Sequence, residues 1–238
     1  MEQQKSVLVT GGAKGIGEAI CRALSAEGWF VYIHCNSSVN EAKSLCAELG
    51  NAEVIVADLS DLKSAETVAE ACKNVNAIVN NAGVALTDLF DNVSDEKMRN
   101  LFEINLFSAM NIVRKILPQM ISKKQGIIVN VSSVFGETGG SCEVDYSTSK
   151  SALIGFTKAL AKEVGPAGIR VNCVCPGIID TDMNGNLSFD DIEALCDEIP
   201  LSRIGEPEDV ADVVAFLLSD KSRYITGAVI DVNGGWQG

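Results

Sequence analysis

Short apolar runs rich in β-branched residues alternate along the chain with stretches whose apolar positions recur every three or four residues. The runs Ser6 to Thr10, Trp29 to Cys35, Glu53 to Ala57, Ala77 to Asn80, Ile127 to Ser132, Ile169 to Val174 and Ala228 to Val232 read as strands. Helical periodicity falls near 15 to 27, 39 to 49, 61 to 73, 94 to 122, 147 to 164 and 207 to 219, the last opening on Pro207, where a missing N–H is harmless. Strands that are apolar at nearly every position are buried on both faces. The pattern therefore predicts an α/β fold, a doubly wound seven-stranded parallel sheet with helices on both faces. Right-handed crossovers bring all strand C-terminal ends to one edge. Turn residues separate the elements and no low-complexity linker interrupts them, so residues 1–238 are expected to form one domain. The stretch 176–200 is too long for an ordinary connection on that edge and is expected to be a substrate lid carrying a short helix near 188 to 198.

With 47% apolar and 21% charged residues among 238, disorder and coiled coil are excluded, and a chain of this size buries about 70 to 75% of its extended surface. The longest apolar run, Val213 to Leu218, is far too short to span a membrane, and Met1 to Lys5 lead directly into the first strand, so a cytoplasmic protein without a signal peptide is expected. A net charge of -13 repels a phosphate backbone and argues against nucleic acid. The eight cysteines are scattered. Cys173 and Cys175 are expected on opposite faces of a strand, which points to reduced thiols with neither a disulfide framework nor a zinc site. His34 is the only histidine, so proton transfer must come from another side chain, and no metal is expected.

The first strand runs into Thr10-Gly11-Gly12-Ala13-Lys14-Gly15-Ile16-Gly17 and then into a helix. Glycines here permit a tight turn and close approach to a pyrophosphate lying against the helix N-terminus. Gly11, Lys14, Gly15, Ile16 and Gly17 are thus candidate cofactor-binding residues. A chain selecting NAD usually ends its second strand with an acid for the ribose hydroxyls. This strand ends His34-Cys35-Asn36-Ser37-Ser38, with no carboxylate to repel a 2'-phosphate, while Lys14, Asn36 and Ser37 offer donors to one. NADP(H) is the expected cofactor.

Tyr146 and Lys150 stand four residues apart, hence on one helical face. With three tyrosines and thirteen lysines in the chain, chance gives such a pair about one time in six, so the pair gains meaning only from its neighbours. Ser133 follows the fifth strand on the same sheet edge as the glycine loop, and Asn105 lies within the long fourth helix. Taken with Asp58-Leu59, Asn80 to Gly83, Pro176-Gly177 and the ending Tyr224 to Gly227 and Asp231 to Gly235, the sequence resembles the short-chain dehydrogenase/reductase family, which has a Rossmann fold, over essentially its whole length.

The resemblance implies a catalytic tetrad of Ser133, Tyr146, Lys150 and Asn105, with Asn105 interrupting its helix and holding a water that leads protons to the lysine. It further implies cofactor contacts from Tyr146 and Lys150 themselves, from Asp58 and Leu59 near adenine, from Asn81, Ala82 and Gly83, and from Pro176, Gly177, Ile179 and Thr181, the last at the nicotinamide amide. A homotetramer is implied, in which the fourth helix and the one after Tyr146 pair across subunits. Phe102, Leu106, Met110 and Val113 are candidates for either core or interface. In such chemistry hydride reaches a carbonyl carbon while Tyr146 supplies the proton. A free phenol with pKa near 10 is poorly matched to neutral pH, so Lys150 is expected to lower the Tyr146 pKa and Ser133 to add a donor to the oxyanion. His34 is expected to serve near the adenosine rather than in catalysis, and Cys142 as a small apolar filler.

Substrate choice is less constrained. The Arg203-Ile204-Gly205-Glu206-Pro207 turn and Ile225-Thr226-Gly227 resemble bacterial 3-oxoacyl-acyl-carrier-protein reductases, which implies a 3-oxoacyl thioester and acyl carrier protein as partner. Residues 171–202 nevertheless contain seven acids and no lysine or arginine, and Glu137, Glu143 and Asp145 flank the tyrosine. An acidic carrier protein would meet like charge there, although Lys123 and Lys124 partly offset it. The stretches Ser141 to Tyr146 and Ile179 to Asn184 also resemble reductases of the 5-aminopentanone modification on elongation factor P, whose amine would welcome carboxylates. A noncatalytic NADP(H)-binding scaffold or sensor is the alternative of another class, and the filled tetrad argues against it.

Overall fold

The computed structural model describes residues 4–185 and 188–237. Its strands β1 (Ser6–Val9), β2 (Phe30–Cys35), β3 (Ala52–Val56), β4 (Ala77–Asn80), β5 (Gly126–Val131), β6 (Ile169–Pro176) and β7 (Val229–Val232) form one parallel sheet in the order β3-β2-β1-β4-β5-β6-β7. Side chains of alternate residues enter separate cores. Val7, Val9, Val31 and Ile33 pack under α1 (Gly15–Ala26), α2 (Val39–Leu49) and α9 (Pro207–Leu218), while Leu8, Ile78 and Ile128 pack against α3 (Leu62–Ala71), α5 (Ser108–Lys123) and α7 (Val144–Val164). Each such fully buried Val, Leu or Ile contributes about 1.5 to 3 kcal/mol. That two-sided burial is why the strands are apolar at successive positions.

The predicted helix over 94 to 122 is instead α4 (Asp95–Phe102), a π-helical turn (Glu103–Phe107) and α5. Phe102, Leu106 and Met110 form a small core with Leu153 of α7, while Val113 belongs to the core under the sheet. The helix predicted from 147 begins earlier, at Val144, with Asp145 in its first turn where a carboxylate suits the helix dipole. The short α6 (Phe135–Thr138), ended by Gly139 at φ 80°, has too few residues to show a period. β6 continues to Pro176, past the predicted end at Val174.

In the 176–200 stretch, α8 (Phe189–Glu198) falls where a helix is predicted. Ser188 caps it, its Oγ accepting from Asp191 N at 3.2 Å while Asp191 Oδ2 accepts from Ser188 N at 2.9 Å. One expectation fails outright. Cys173 and Cys175 lie on the same face of β6, packed with Ile154 and Val229, because side chains two apart in a strand point the same way. All eight cysteines are free thiols.

Candidate active site

In the strand order, the chain leaves β1 toward β2 on one side and returns to β4 on the other, which opens a crevice between the C-terminal ends of β1 and β4. Thr10 closes its floor. Its Oγ1 accepts from Asn81 N and Ala82 N, each at 3.0 Å, and Asn81 Nδ2 donates back to Thr10 O at 3.0 Å and Gly11 O at 3.1 Å. Gly11 has φ +63°, a left-handed conformation suited to glycine, and a Cβ on Gly17 would run into the Gly11 carbonyl oxygen. The N-cap of α1 is Lys14, whose side chain makes no cap hydrogen bond, so the first-turn N–H groups are free of a side-chain acceptor. Tight backbone approach beside an uncapped helix N-terminus is the cradle a dinucleotide pyrophosphate requires, and these residues fit one.

A cavity of about 280 Å³ follows the crevice. The structure brings most of the predicted site residues to its wall: Gly11, Lys14, Gly15, Ile16 and Gly17 from the first turn; Asn81, Ala82 and Gly83 after β4; Ser133, Tyr146 and Lys150; and Pro176, Gly177, Ile179 and Thr181 after β6. Asn36, Ser37 and Asp58 lie outside the cavity, exposed beyond the ends of β2 and β3. Asp58 Oδ1 accepts from Ser60 N at 3.0 Å, and the Leu59 side chain is in the core.

Asn105 stands behind the wall, 1% exposed, inside the π-helical turn. Its Oδ1 accepts from Val84 N at 2.8 Å, and its Nδ2 donates to Val84 O at 2.9 Å and Ser149 Oγ at 3.2 Å. It thereby ties the turn after β4 to α7. A Cβ on Gly83 would come within 3.2 Å of Lys150 Nζ and 3.4 Å of Asn105 Oδ1, so bare backbone at Gly83 is what lets these groups converge.

Tyr146 and Lys150 share a face of α7, with Lys150 Nζ 5.6 Å from the phenol ring centroid and donating to Val131 O at 3.0 Å. The expected lowering of the Tyr146 pKa is not what this pocket produces. Burial pushes the phenol up to about 12; Ser133, hydrogen-bonded to it, acts in the opposite direction and the Glu143 charge adds to the rise. Burial likewise brings Lys150 down to about 8. Desolvation penalises the charged form of each, and it is the largest cause of both shifts. Ser133 Oγ also accepts from Phe135 N at 3.2 Å, so α6 fixes its position.

Several residues of the site are absent from the sequence-based set. Asp182, Met183 and Asn184 line the cavity, as do Val131 and Ser132. Glu41, in the first turn of α2, pairs with Lys14 at 3.4 Å, and Asp182 also pairs with Lys14 at 3.4 Å. Glu41, then Asp182, raise the Lys14 pKa. Glu41 lies beyond the end of β2, in the first turn of α2, and the helical register of α2 is the sequence signal that places it beside the glycine loop. His34 is 2% exposed and ties the turn after β1 to the end of β3: Gly11 N donates to Nδ1 at 3.1 Å, and Nε2 lies 3.1 Å from Ala57 O. Cys142 is half-buried, with φ +61°. Near α6, ligand atoms of Glu137, Cys175 and Asp231 lie within 4.8 Å of one another. Among the described residues no helix is long and apolar enough to cross a membrane.

Residues 11–237 match the family profile described as enoyl-(acyl carrier protein) reductase. The chain is 42% identical over 238 residues to an uncharacterized oxidoreductase of Bacillus subtilis, covering 98% of each. It is 40% identical over 238 residues to a 3-oxoacyl-[acyl-carrier-protein] reductase of Haemophilus influenzae, again covering 98% of each. Among solved structures it is similar to a candidate NAD(P)-dependent gluconate 5-dehydrogenase of Beutenbergia cavernae with bound NADP, at TM-score 0.94 and 32% identity over 98% of this chain and 96% of that one.

Proposed function

This chain belongs to the short-chain dehydrogenase/reductase family of oxidoreductases, and we propose that within it the protein uses NADPH to reduce a ketone to a secondary alcohol. The observation that carries the proposal is the convergence of Ser133, Tyr146 and Lys150 on a cavity whose other end is the glycine cradle. Gly11 to Gly17 would hold the pyrophosphate, and Thr181 and the Pro176-Gly177 turn the nicotinamide end. Bound there, the reduced nicotinamide supplies hydride to the carbonyl carbon.

The chain's own residues handle the oxygen. With a pKa near 12 the Tyr146 phenol is fully protonated at neutral pH and donates to the carbonyl oxygen together with Ser133, so both donors strengthen as negative charge grows. Tyr146 then gives up its proton, and the Lys150 ammonium one turn along stabilises the phenolate left behind. Asn105 keeps Val84 and Ser149 in place around that lysine. Lys14 is the residue we assign to the 2'-phosphate, in exchange for its pairing with Glu41.

Similarity to the 3-oxoacyl-[acyl-carrier-protein] reductase of Haemophilus influenzae supports one substrate class, a 3-oxoacyl thioester delivered on an acyl carrier protein. A second reading has its own observation. Glu143 is half-buried beside Tyr146, hydrogen-bonded by Thr87 Oγ1 at 3.2 Å, and makes no salt bridge among the described residues. Burial raises its pKa, and a cationic substrate group would relieve that penalty. An amine-bearing ketone, such as the 5-aminopentanone group on elongation factor P, fits this carboxylate better than an acyl chain does.

The test is NADPH oxidation with an acetoacetyl thioester and, separately, with an amino ketone, using the wild type and Tyr146→Phe. Turnover is expected to fall by about a thousandfold in Tyr146→Phe while NADPH still binds. Activity on the thioester alone supports the acyl reading, and activity confined to the amino ketone supports the second. Substantial turnover by Tyr146→Phe would remove the phenol from the mechanism.

A further inference from the structure

We propose that His34 is a positioning residue for the cofactor: its neutral ring ties the pyrophosphate turn to the adenine-side turn, and protonating it unties them, so dinucleotide affinity falls in mild acid. The inference rests on reading the crevice as the dinucleotide site. Its basis is the pair of demands made on one ring. Gly11 N–H can only donate, so Nδ1, at 3.1 Å, must be a bare acceptor. Ala57 O can only accept, so Nε2, also at 3.1 Å, must carry the hydrogen. The neutral Nε2–H tautomer meets both demands. The imidazolium puts a hydrogen on Nδ1 against the Gly11 N–H, two donors face to face.

The surroundings make this consequential. His34 O accepts from Gly12 N at 2.8 Å, so both of the first two glycines of the loop hang on this residue, one through its side chain and one through its backbone. Gly11 O in turn accepts from Asn81 Nδ2, which carries the constraint to the turn after β4. On the other side, Ala57 leads into Asp58 and Leu59 and is itself held by Cys35 O, which accepts its N–H at 3.0 Å. Among groups facing the ring, Asp58 favours the imidazolium, the Gly11-Gly12 turn and Ala57 carry no side-chain charge, and Tyr32 is an uncharged phenol two residues back on the same strand face. Cys21 of α1, donating to Gly12 O, stays a thiol because burial raises its pKa. Burial outweighs Asp58, and the His34 pKa lies below the ordinary imidazole value.

Because the chain has a single histidine, its untagged form reports on this ring without ambiguity. The imidazole is titrated by NMR with and without NADP+, and NADPH and NADH dissociation constants are measured by fluorescence between about pH 5.5 and 8 for wild type, His34→Asn and His34→Ala. The His34 pKa should fall further when NADP+ binds. Wild-type affinity should weaken by up to about tenfold per pH unit below the free-state pKa. His34→Asn, which retains a donor and an acceptor but cannot titrate, should show only the slope due to the 2'-phosphate with NADPH and none with NADH. His34→Ala should bind more weakly at every pH. Parallel pH profiles for wild type and His34→Asn, or a His34 pKa unmoved by NADP+, would overturn the proposal, as would tighter wild-type binding in acid, where attraction between imidazolium and phosphate would have won. A wild type that binds neither dinucleotide at pH 8 would instead bring down the cofactor reading, and this inference with it.

Discussion

Two lysines mark opposite ends of the same cavity, and their environments shift them in opposite directions. Lys150 is 4% exposed, its ammonium hydrogen-bonded to a backbone carbonyl and without an ion-pair partner among the described residues, and burial lowers its pKa to about 8. Lys14 stands at the rim with about half its side chain in solvent, between Glu41 and Asp182, and its pKa rises. Inside, desolvation outweighs any pairing; outside, pairing acts with almost no desolvation against it. The inner lysine is therefore held in an unfavourable charged state, which a phenolate on Tyr146 would relieve. The outer one is a charge that can exchange one anion for another.

The largest effect that would test this contrast comes from Lys150→Met. A buried ammonium lowered toward 8 binds fewer protons than its unfolded counterpart between about 8 and 10.5, so its penalty is fully present below pH 8 and disappears as pH rises through that window. Removing it should raise Tm by at least a few degrees at pH 7, with the gain shrinking toward pH 10, while turnover drops by about a hundredfold or more. Thermal melts at the two pH values and initial rates at saturating NADPH check both halves. A variant less stable at pH 7 would show that the hydrogen bond to Val131 O matters more than the buried charge.

At the rim the expected changes are smaller and concern choice of cofactor. Lys14→Ala should weaken NADPH binding about three- to tenfold and leave NADH within about twofold, because the contact is charge-assisted yet solvent-exposed. Glu41→Gln should strengthen NADPH binding by a smaller factor. Equal losses for both dinucleotides in Lys14→Ala would move the lysine from the 2'-phosphate to the pyrophosphate. How legible these residues are in the sequence follows the same division. Elements set by burial are readable: the seven strands, most of the helices and the glycine turn from Gly11 to Gly17 follow from apolar runs, turn glycines and helical spacing, while Ser133, Tyr146 and Lys150 stand out through the resemblance to a known family. What pattern alone does not show are through-space partners from distant elements. Glu41 and Asp182 meet Lys14 from a helix and a loop, His34 meets Gly11 and Ala57 across three strands, and the pKa of Tyr146 depends on a burial that no spacing reports. The π-helical turn at Glu103–Phe107 escapes periodicity for a related reason, since it interrupts the very period being read.

The smallest effect lies just outside the cavity, where the lesson of the two lysines applies to carboxylates. Glu137 of α6 and Asp231 of β7 are both exposed yet adjacent, and the hydrogen bond to Asp231 comes first among the causes that raise Glu137 to about 7. Glu137 therefore keeps its proton at moderate acidity. A carboxyl raised in the folded state binds extra protons there between about 4.5 and 7, so stability falls as pH climbs through that range and the repulsion is fully expressed above it. Glu137→Gln retains a donor for Asp231 and cannot ionise. It should leave Tm unchanged near pH 5 and raise it by about one to two degrees at pH 8, flattening the slope between. Melting curves at several pH values decide the matter, because an unchanged slope in the variant would mean that Glu137 ionises as an ordinary solvated carboxyl.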